Sequence, residues 1–459
     1  MIINPRLKTR PVTIGTQTIG GGHRITLQSM TNTDTHDVAA TVAQCERIIS
    51  AGGDLVRITV PSMEYVQDIA EIKKQLRSKG LSTPIVADVH FFPKVAEACA
   101  QEVEKVRVNP GNYTDKRIFD YHEYTEAEYQ EGIDKMAGKA RPLLEICKKN
   151  HTAIRVGVNH GSLCDRVVSR YGNTPEAMAM AAMEWVEICE KEDFHELVLS
   201  MKASNPQIMI ESTLAVAEKM QQRGTIYPLH IGVTEAGNGK EGRAKSAVGI
   251  GALLLAGVGD TIRVSLTEKP ENELAFARKL LQFLEKTAAA SYDIENGEIL
   301  KIDYDCADAD ELLAAAGAIA GYELFIKKHT FKNLFIHNPH LENDDNKKVA
   351  DYILQACRLK LDKAEFISCP SCGRTQYDIE KISGIVKERL AKYAGVKIGI
   401  MGCVVNGPGE MADADFGVVG TAQGDLIVYK GKEKITPPLP IADALTILEE
   451  NVKKMKHQE

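Results

Sequence analysis

The sequence predicts an α/β protein with three parts: an N-terminal (β/α)8 barrel of the TIM type, a short inserted βα segment, and a small C-terminal α+β domain. Through the first 265 residues, short apolar β-branched runs alternate with segments of helical periodicity. These runs number eight, the count at which βα units close into a barrel. Past residue 282 the rhythm changes, first to an acidic, turn-rich stretch and then to a region with closely spaced cysteines. A chain of 459 residues has room for two or three domains, drawn here at 1–282, 283–364 and 365–459.

The expected barrel strands are Arg24–Met30, Asp54–Val60, Pro84–His90, Lys105–Asn109, Ala153–Val158, Glu196–Met201, Pro228–Val233 and Asp260–Leu266. An open doubly wound sheet is the alternative arrangement of the same units. Ile118–Asn150 is longer than one barrel helix requires and predicts an extra helix. In the middle segment, Asp303–Leu312 reads as an acidic turn and Leu341–Lys348 as a charged, solvated bend. An internal echo joins this segment to the barrel. Both Gly249–Gln282 and the stretch from GAIAGYELFIKK to KKVADYILQ read as helix, strand, turn and helix, but Phe335 stands where Arg263 would be. The second copy is therefore expected to be scaffold without chemistry. Further on, Tyr377–Tyr393 reads as helix, Val396–Met401 as strand, and Phe416–Val419 with Leu426–Tyr429 as a strand pair. A final helix begins at about Ala442.

At 44% hydrophobic and 26% charged residues, the composition is that of a globular protein able to bury a sizeable core. A formal net charge of −7 argues against generic nucleic-acid binding. Met1 to Arg6 lead into no apolar run, and no stretch is long enough to span a bilayer, so a cytoplasmic address is expected. Ten cysteines without the density of a secreted scaffold suggest thiols plus a metal site, not disulfides.

Cys369-Pro370-Ser371-Cys372 offers two thiolates from one loop, and Cys403 follows a strand in a glycine-rich turn that ends in Glu410. A lone C-x-x-C suits zinc or a redox dithiol as well. Structural zinc, however, needs four closed ligands, and neither a second C-x-x-C nor a nearby histidine completes the set. Three thiolates and a carboxylate that can leave suit a [4Fe–4S] cube with one exchangeable position. The other cysteines read as plain buried thiols or remain unassigned.

A second constellation lies at the ends of the barrel strands. Arg57, Arg107, Arg155, Lys202 and Arg263 converge on one rim, where planar guanidinium forks suit phosphate oxygens. The amides of Asn109–Asn112 and His160–Ser162 are candidate extra donors. Asp88, His90, Asn159, His160, His230 and Glu235 are expected at the same rim, with Glu235 a proton donor among the cations. The target is a small, multiply charged anion of diphosphate type.

The phrases VRITVP, ADVHF, VRVNPGN, IRVGVNHGSL, HIGVTEAG, GDTIRVSL, CPSCGR and GCVVNGPGE resemble those of the 4-hydroxy-3-methylbut-2-enyl diphosphate synthase (GcpE) family. That resemblance covers residues 1–282 and 365–459. It implies reductive opening and dehydroxylation of 2-C-methyl-D-erythritol 2,4-cyclodiphosphate in isoprenoid precursor synthesis. It makes Cys369, Cys372, Cys403 and Glu410 the cluster ligands, with Glu410 also catalytic because it moves aside. It makes Arg57, Arg107, Arg155, Asn159, Lys202, Arg263 and Ser265 diphosphate contacts, and Glu235 an acid. A ferredoxin or flavodoxin donor is implied. Short family members run almost directly from barrel to cluster domain, and plant-type members insert a whole second domain. The segment 283–364 resembles only the tail of that insertion. On this basis a homodimer is expected, with each barrel covered by the cluster domain of the partner subunit. The rival readings are a zinc-stabilised barrel that only binds phosphorylated ligands and a transferase of pterin-synthase type.

Overall fold

The structure is a computed structural model, and it describes residues 4–114, 122–375, 377–403, 407–421 and 423–458. Its barrel strands are Thr26–Met30, Leu55–Thr59, Ile85–Asp88, Lys105–Val108, Ala153–Asn159, Leu197–Lys202, His230–Ile231 and Thr261–Ile262. They lie side by side in chain order, and the last returns to the first through Thr261 beside Thr26. A parallel bridge between Leu199 and Leu229 closes the ring, so the open-sheet alternative is excluded.

Side chains inside the barrel stack in tiers, as alternation along parallel strands requires. The lowest tier is apolar. There Leu55, Val86, Ala153 and Val198 pack on Val12, Ile14 and Ile19 of a two-stranded hairpin that plugs the barrel. The sequence reading missed this hairpin, whose strands are three residues each. The tiers above are polar and carry the arginines.

The extra helix expected in 118–150 is absent from the described part of that stretch. Glu126–Asn150 is one 25-residue helix, started by a Thr125–Glu128 capping box, and it carries Pro142 without breaking. Residues 118–121 of the expected helix lie outside the described residues.

Residues 283–364 form a three-stranded sheet of Ala290–Glu295, Ile299–Tyr304 and Asn333–His337, with helices Ala309–Gly321 and Asn343–Ala356. Most of Leu341–Lys348, expected as a solvated bend, is the first turns of the second helix; Asp344 and Asp345 suit its N-terminal dipole. The buried apolar residues of this segment belong to the same cluster as those around the barrel. The two echoed helices pack on each other through small residues. A Cβ on Gly317 would meet the Ala247 Cβ at 2.6 Å, so only glycine permits this approach.

The C-terminal domain is a five-stranded sheet of Glu365–Ser368, Lys397–Met401, Phe416–Gly420, Leu426–Lys430 and Glu433–Lys434. Helices Ile379–Leu390 and Ile441–Gln458 cover it, and it has an apolar core of its own. Its first strand leads straight across the barrel mouth. Ser368 bridges Ala236, Lys245 Nζ donates to the Phe366 carbonyl at 2.9 Å, and Thr267 Oγ1 donates to the Cys369 carbonyl at 3.0 Å. The inserted segment hands the chain to this point: Arg358 pairs with Glu365 at 2.9 Å, and Gln355 Nε2 donates to the Ala364 carbonyl at 3.2 Å. One chain thus covers its own barrel. This corrects the expectation that a partner subunit supplies the cover, and the physical reason is the reach that the insertion adds.

Candidate active site

The barrel mouth and the cysteine loop line one cavity of about 80 Å³. It is lined by Arg57, Arg107, Arg155, Asn159, Lys202, Glu235, Arg263 and Ser265 from the barrel, and by Cys369, Cys372 and Arg374 from the loop. All seven expected anion contacts therefore meet in one place.

Some of these cations are already engaged. Arg57 Nη2 donates to Asp88 at 2.5 Å, and Arg107 donates to His90 Nε2 at 2.7 Å, to the Gly157 carbonyl at 2.9 Å and to Asn159 Oδ1 at 3.0 Å. Arg263 is held by Glu273 through two bonds of 3.1 and 3.2 Å. Burial would push the Asp88 carboxyl up, but Arg57, His90 and Arg107 outweigh it and hold it well below the carboxylate range. Burial, with Arg107 beside it, drives His90 down to about 3, so the ring is neutral at physiological pH.

Others keep donors that are open among the described residues. Arg155 is 2% exposed, yet its Nε and Nη1 lack a partner, as does Lys202 Nζ. Burial and the neighbouring cations press both groups well below their ordinary values. Buried, unpaired cations are costly. An anion bearing several oxygens is what this arrangement lacks.

The cysteine half is built from two loops. Cys369 N donates to the Ile400 carbonyl at 3.0 Å, and the left-handed Ser371 (φ 67°) turns the loop so that Cys372 also faces the cavity. Cys403 follows the strand Lys397–Met401, and its charge acts on Cys369, Arg374 and Tyr377. Glu410 ends the helix Gly407–Glu410 and is 1% exposed. Among the described residues no three His, Cys, Asp or Glu side chains are gathered as ligands of a single metal ion, so the fit to a cluster rests on donor chemistry. Burial, followed by Cys372, Glu235 and Cys403, raises the Cys369 thiol well above its usual value. Burial and Glu235 do the same to Glu410. Such crowding of potential anions is relieved by a positively charged metal centre, and three thiols with a carboxyl are the donors an open-sited iron–sulfur cube uses. The residues fit the group.

The two halves meet at a carboxyl pair. Glu235 hydrogen-bonds Glu410, and burial raises Glu235 to about 7. One oxygen of each, Oε2, has no partner. Asn159 also hydrogen-bonds Glu410, so a barrel residue touches the cluster domain directly. Glu235 adopts a left-handed backbone (φ 47°), unusual for a residue with a Cβ, and its carbonyl accepts from Ser368 N at 3.2 Å.

Not every expected rim group belongs to the cavity. His160 turns away to Asp413 at 3.1 Å, and the His160–Ser162 loop seats the C-terminal domain instead of donating amides to an anion. A Cβ on Gly161 would meet Gly409 C at 2.8 Å, which shows how closely the two loops pack. Asn109 caps its own turn by accepting from Gly111 N and ties to Ser162, so that loop is also structural. His230 is 0% exposed and lies within the barrel, below the rim. Sequence reasoning missed Arg374, which reaches from the cysteine loop to Asp88 at 3.5 Å, and Glu273. The signal for Arg374 was its place in CPSCGR, beside the ligand cysteines. Nothing in sequence marked Glu273, a helix residue ten positions after Arg263.

The family model described as the GcpE TIM-barrel domain matches residues 9–278, and that described as the GcpE protein C-terminal domain matches 365–454. The 4-hydroxy-3-methylbut-2-en-1-yl diphosphate synthase (flavodoxin) of Parabacteroides distasonis is 36% identical, with 98% of each chain covered. That alignment runs over 599 positions against 459 residues here, so the relative has segments this chain lacks. The 4-hydroxy-3-methylbut-2-en-1-yl diphosphate synthase (ferredoxin) of Trichodesmium erythraeum is 38% identical over 94% of this chain and 88% of its own. Among solved structures, a Xanthomonas albilineans dihydropteroate synthase covers 60% of this chain and 98% of its own at 12% identity and a TM-score of 0.39. With both domain models matched and relatives aligned almost end to end, the chain belongs to the GcpE family.

Proposed function

We propose that the chain is a 4-hydroxy-3-methylbut-2-enyl diphosphate synthase, which reductively opens 2-C-methyl-D-erythritol 2,4-cyclodiphosphate and removes its hydroxyl as water. The observation that carries this reading is the cavity that unpartnered buried cations share with a cysteine loop. A pterin-type transferase would have no use for Cys403 and Glu410 there, and a zinc-stabilised binding barrel would be colourless where a cluster protein is brown.

Residues 1–282 hold the diphosphate, 283–364 brace the two working parts, and 365–459 hold the metal centre. Arg155 and Lys202 supply open donors to the phosphoryl oxygens, and Arg57, Arg107 and Arg263 arrive pre-oriented by Asp88, Asn159 and Glu273. Ser265 and Asn159 flank them. Bound by Cys369, Cys372 and Cys403, with Glu410 as exchangeable fourth ligand, a [4Fe–4S] cluster supplies electrons one at a time and Lewis acidity at its open iron. Glu235, poised at about 7, holds on its carboxyl the proton that the departing hydroxyl needs. The loop of Ser368 and the close packing at Gly161 hold the C-terminal domain over the barrel mouth.

One-electron delivery calls for a ferredoxin or flavodoxin donor, in keeping with the names of the relatives. No helix among the described residues is long and apolar enough to cross a membrane, and a reducing cytoplasm suits the thiols. The test is anaerobic purification, iron and sulfide analysis, and turnover of the cyclic diphosphate with a chemical reductant. A colourless protein with no turnover would refute the reading.

A further inference from the structure

The roles assigned so far leave unused a set of polar side chains inside the barrel, below the cavity. Strand register puts Lys105 beside Val86 and Ala153, two positions below Arg107 on the same inward face. Gln28, Ser200, His230 and Thr261 are buried on other strands of the barrel. Barrel interiors are normally filled at this level by branched apolar side chains. Here Lys105 and His230 are both 0% exposed, and Lys105 Nζ, both His230 ring nitrogens, both Gln28 amide atoms and Ser200 Oγ lack a partner.

The charges around this tier are of one sign. Arg155 and Arg57 act on Lys105, and Lys202, Arg155, Lys105 and Arg57 act on His230. The carboxylates Asp88 and Glu273 are already committed, Asp88 to Arg57 and Arg107 and Glu273 to Arg263. Among the described residues, nothing is hydrogen-bonded to Lys105 Nζ.

Resting on the diphosphate reading above, we propose that Lys105 is an inner-tier cation of the substrate cradle, an uncharged amine in the ligand-free protein that is protonated as the diphosphate enters. An empty barrel thereby avoids one more buried, unpaired charge, and the complex gains a cation behind Arg155 when there is an anion to balance it. Burial and then Arg155 and Arg57 push the lysine well below its ordinary value, and an anion among those arginines removes that repulsion. The complex therefore binds more protons than the free protein, so affinity rises as pH falls between the two pKa values. His230 is pressed down by burial and the same cations. Glu235, held at about 7, faces the same anion and contributes uptake of its own, which the test must separate.

Calorimetric titration of the cluster-loaded, oxidised enzyme with the cyclic diphosphate, in buffers of different ionisation enthalpy, counts protons directly. No reductant is present, so there is no turnover. Each phosphorus of the ligand bears a single strongly acidic oxygen, so the ligand takes up none near neutrality. Wild type should take up protons on binding. Lys105→Met should take up about one fewer per site and bind about tenfold more weakly, the size expected of one lost charge at an effective dielectric of about 20. Lys105→Arg, whose guanidinium stays charged, should lose the same proton while keeping most of the affinity, and it serves as the readout if the methionine variant does not fold. Glu235→Gln should remove only its own share. No uptake by wild type, or uptake by the Lys105 variants equal to wild type, overturns the proposal. Absence of any binding by wild type would instead sink the diphosphate reading itself.

Discussion

The barrel mouth and the cysteine loop both line the cavity but are built on opposite terms. The barrel half rides on strand ends, its cations are buried, and carboxylates such as Asp88 and Glu273 fix several of them before any ligand arrives. The cysteine half rides on loops. Cys369, Cys372 and Cys403 are half-buried, and the Cys369–Cys372 turn depends on a left-handed Ser371. Rigid strands suit a ligand recognised by geometry, whereas a loop can close around a centre assembled on it. The contrast predicts that damage to one half leaves the other half's signature intact.

The largest effect should come from the cysteine side. Cys403→Ser is expected to abolish the brown chromophore or leave a smaller, unstable cluster, with turnover lost and cyclic diphosphate binding retained. Iron and sulfide content equal to wild type would remove Cys403 from the ligand set. A mixture of Arg155→Ala and Cys403→Ser chains, with subunit exchange confirmed, should stay inactive, because one chain supplies both halves of each site. Recovery of activity in the mixture would show that sites form between chains.

From the barrel side, Arg155→Ala should weaken binding of the cyclic diphosphate roughly ten- to a hundred-fold, the worth of a charge-assisted contact, while the cluster spectrum stays unchanged. Unaltered affinity in a titration would rule the residue out. Arg374→Gln sharpens the contrast, because Arg374 belongs to the loop but reaches Asp88. Burial would lower its pKa, yet Cys372, Asp88 and Cys403 outweigh that and raise it. Losing this charge should weaken substrate binding about tenfold and also lower the cluster's reduction potential. A change in only one of the two readouts would assign Arg374 to one half alone.

What the sequence revealed follows the same division. All eight barrel strands and the five rim cations were legible because cations recur at the ends of β-branched runs, a local pattern with a fixed geometric meaning; Ser265 entered only through the family resemblance. The C-x-x-C with Cys403 and Glu410 was legible as donor chemistry. Pairings made by tertiary packing were not. Glu273 lies on a helix, and His230 opens its strand instead of ending it, so it sits below the rim. The covering of the mouth by the same chain was misjudged for a related reason. The length of 283–364 was known, but its packing against the helix that carries Ala247 could not be read from spacing.

The smallest effect should come from the echo of the barrel's last unit. Phe335 lies on the strand Asn333–His337, in the position that Arg263 holds in the barrel copy. Arg263 is 5% exposed, held by Glu273 and aimed into the cavity, whereas Phe335 is 58% exposed. The two copies thus share a scaffold and differ in whether the side chain at this point faces a closed barrel or open solvent. An exposed aromatic ring on an edge strand adds little to stability, so Phe335→Ser should shift it by no more than about 0.5 kcal/mol. Turnover with a chemical reductant should be unchanged, since the insertion carries no group of the site. Turnover driven by a flavodoxin or ferredoxin should be unchanged as well if the insertion only braces the two halves. A fall in protein-driven turnover alone, with stability and chemically driven turnover intact, would overturn the purely structural reading and mark this sheet as the surface where the electron donor docks.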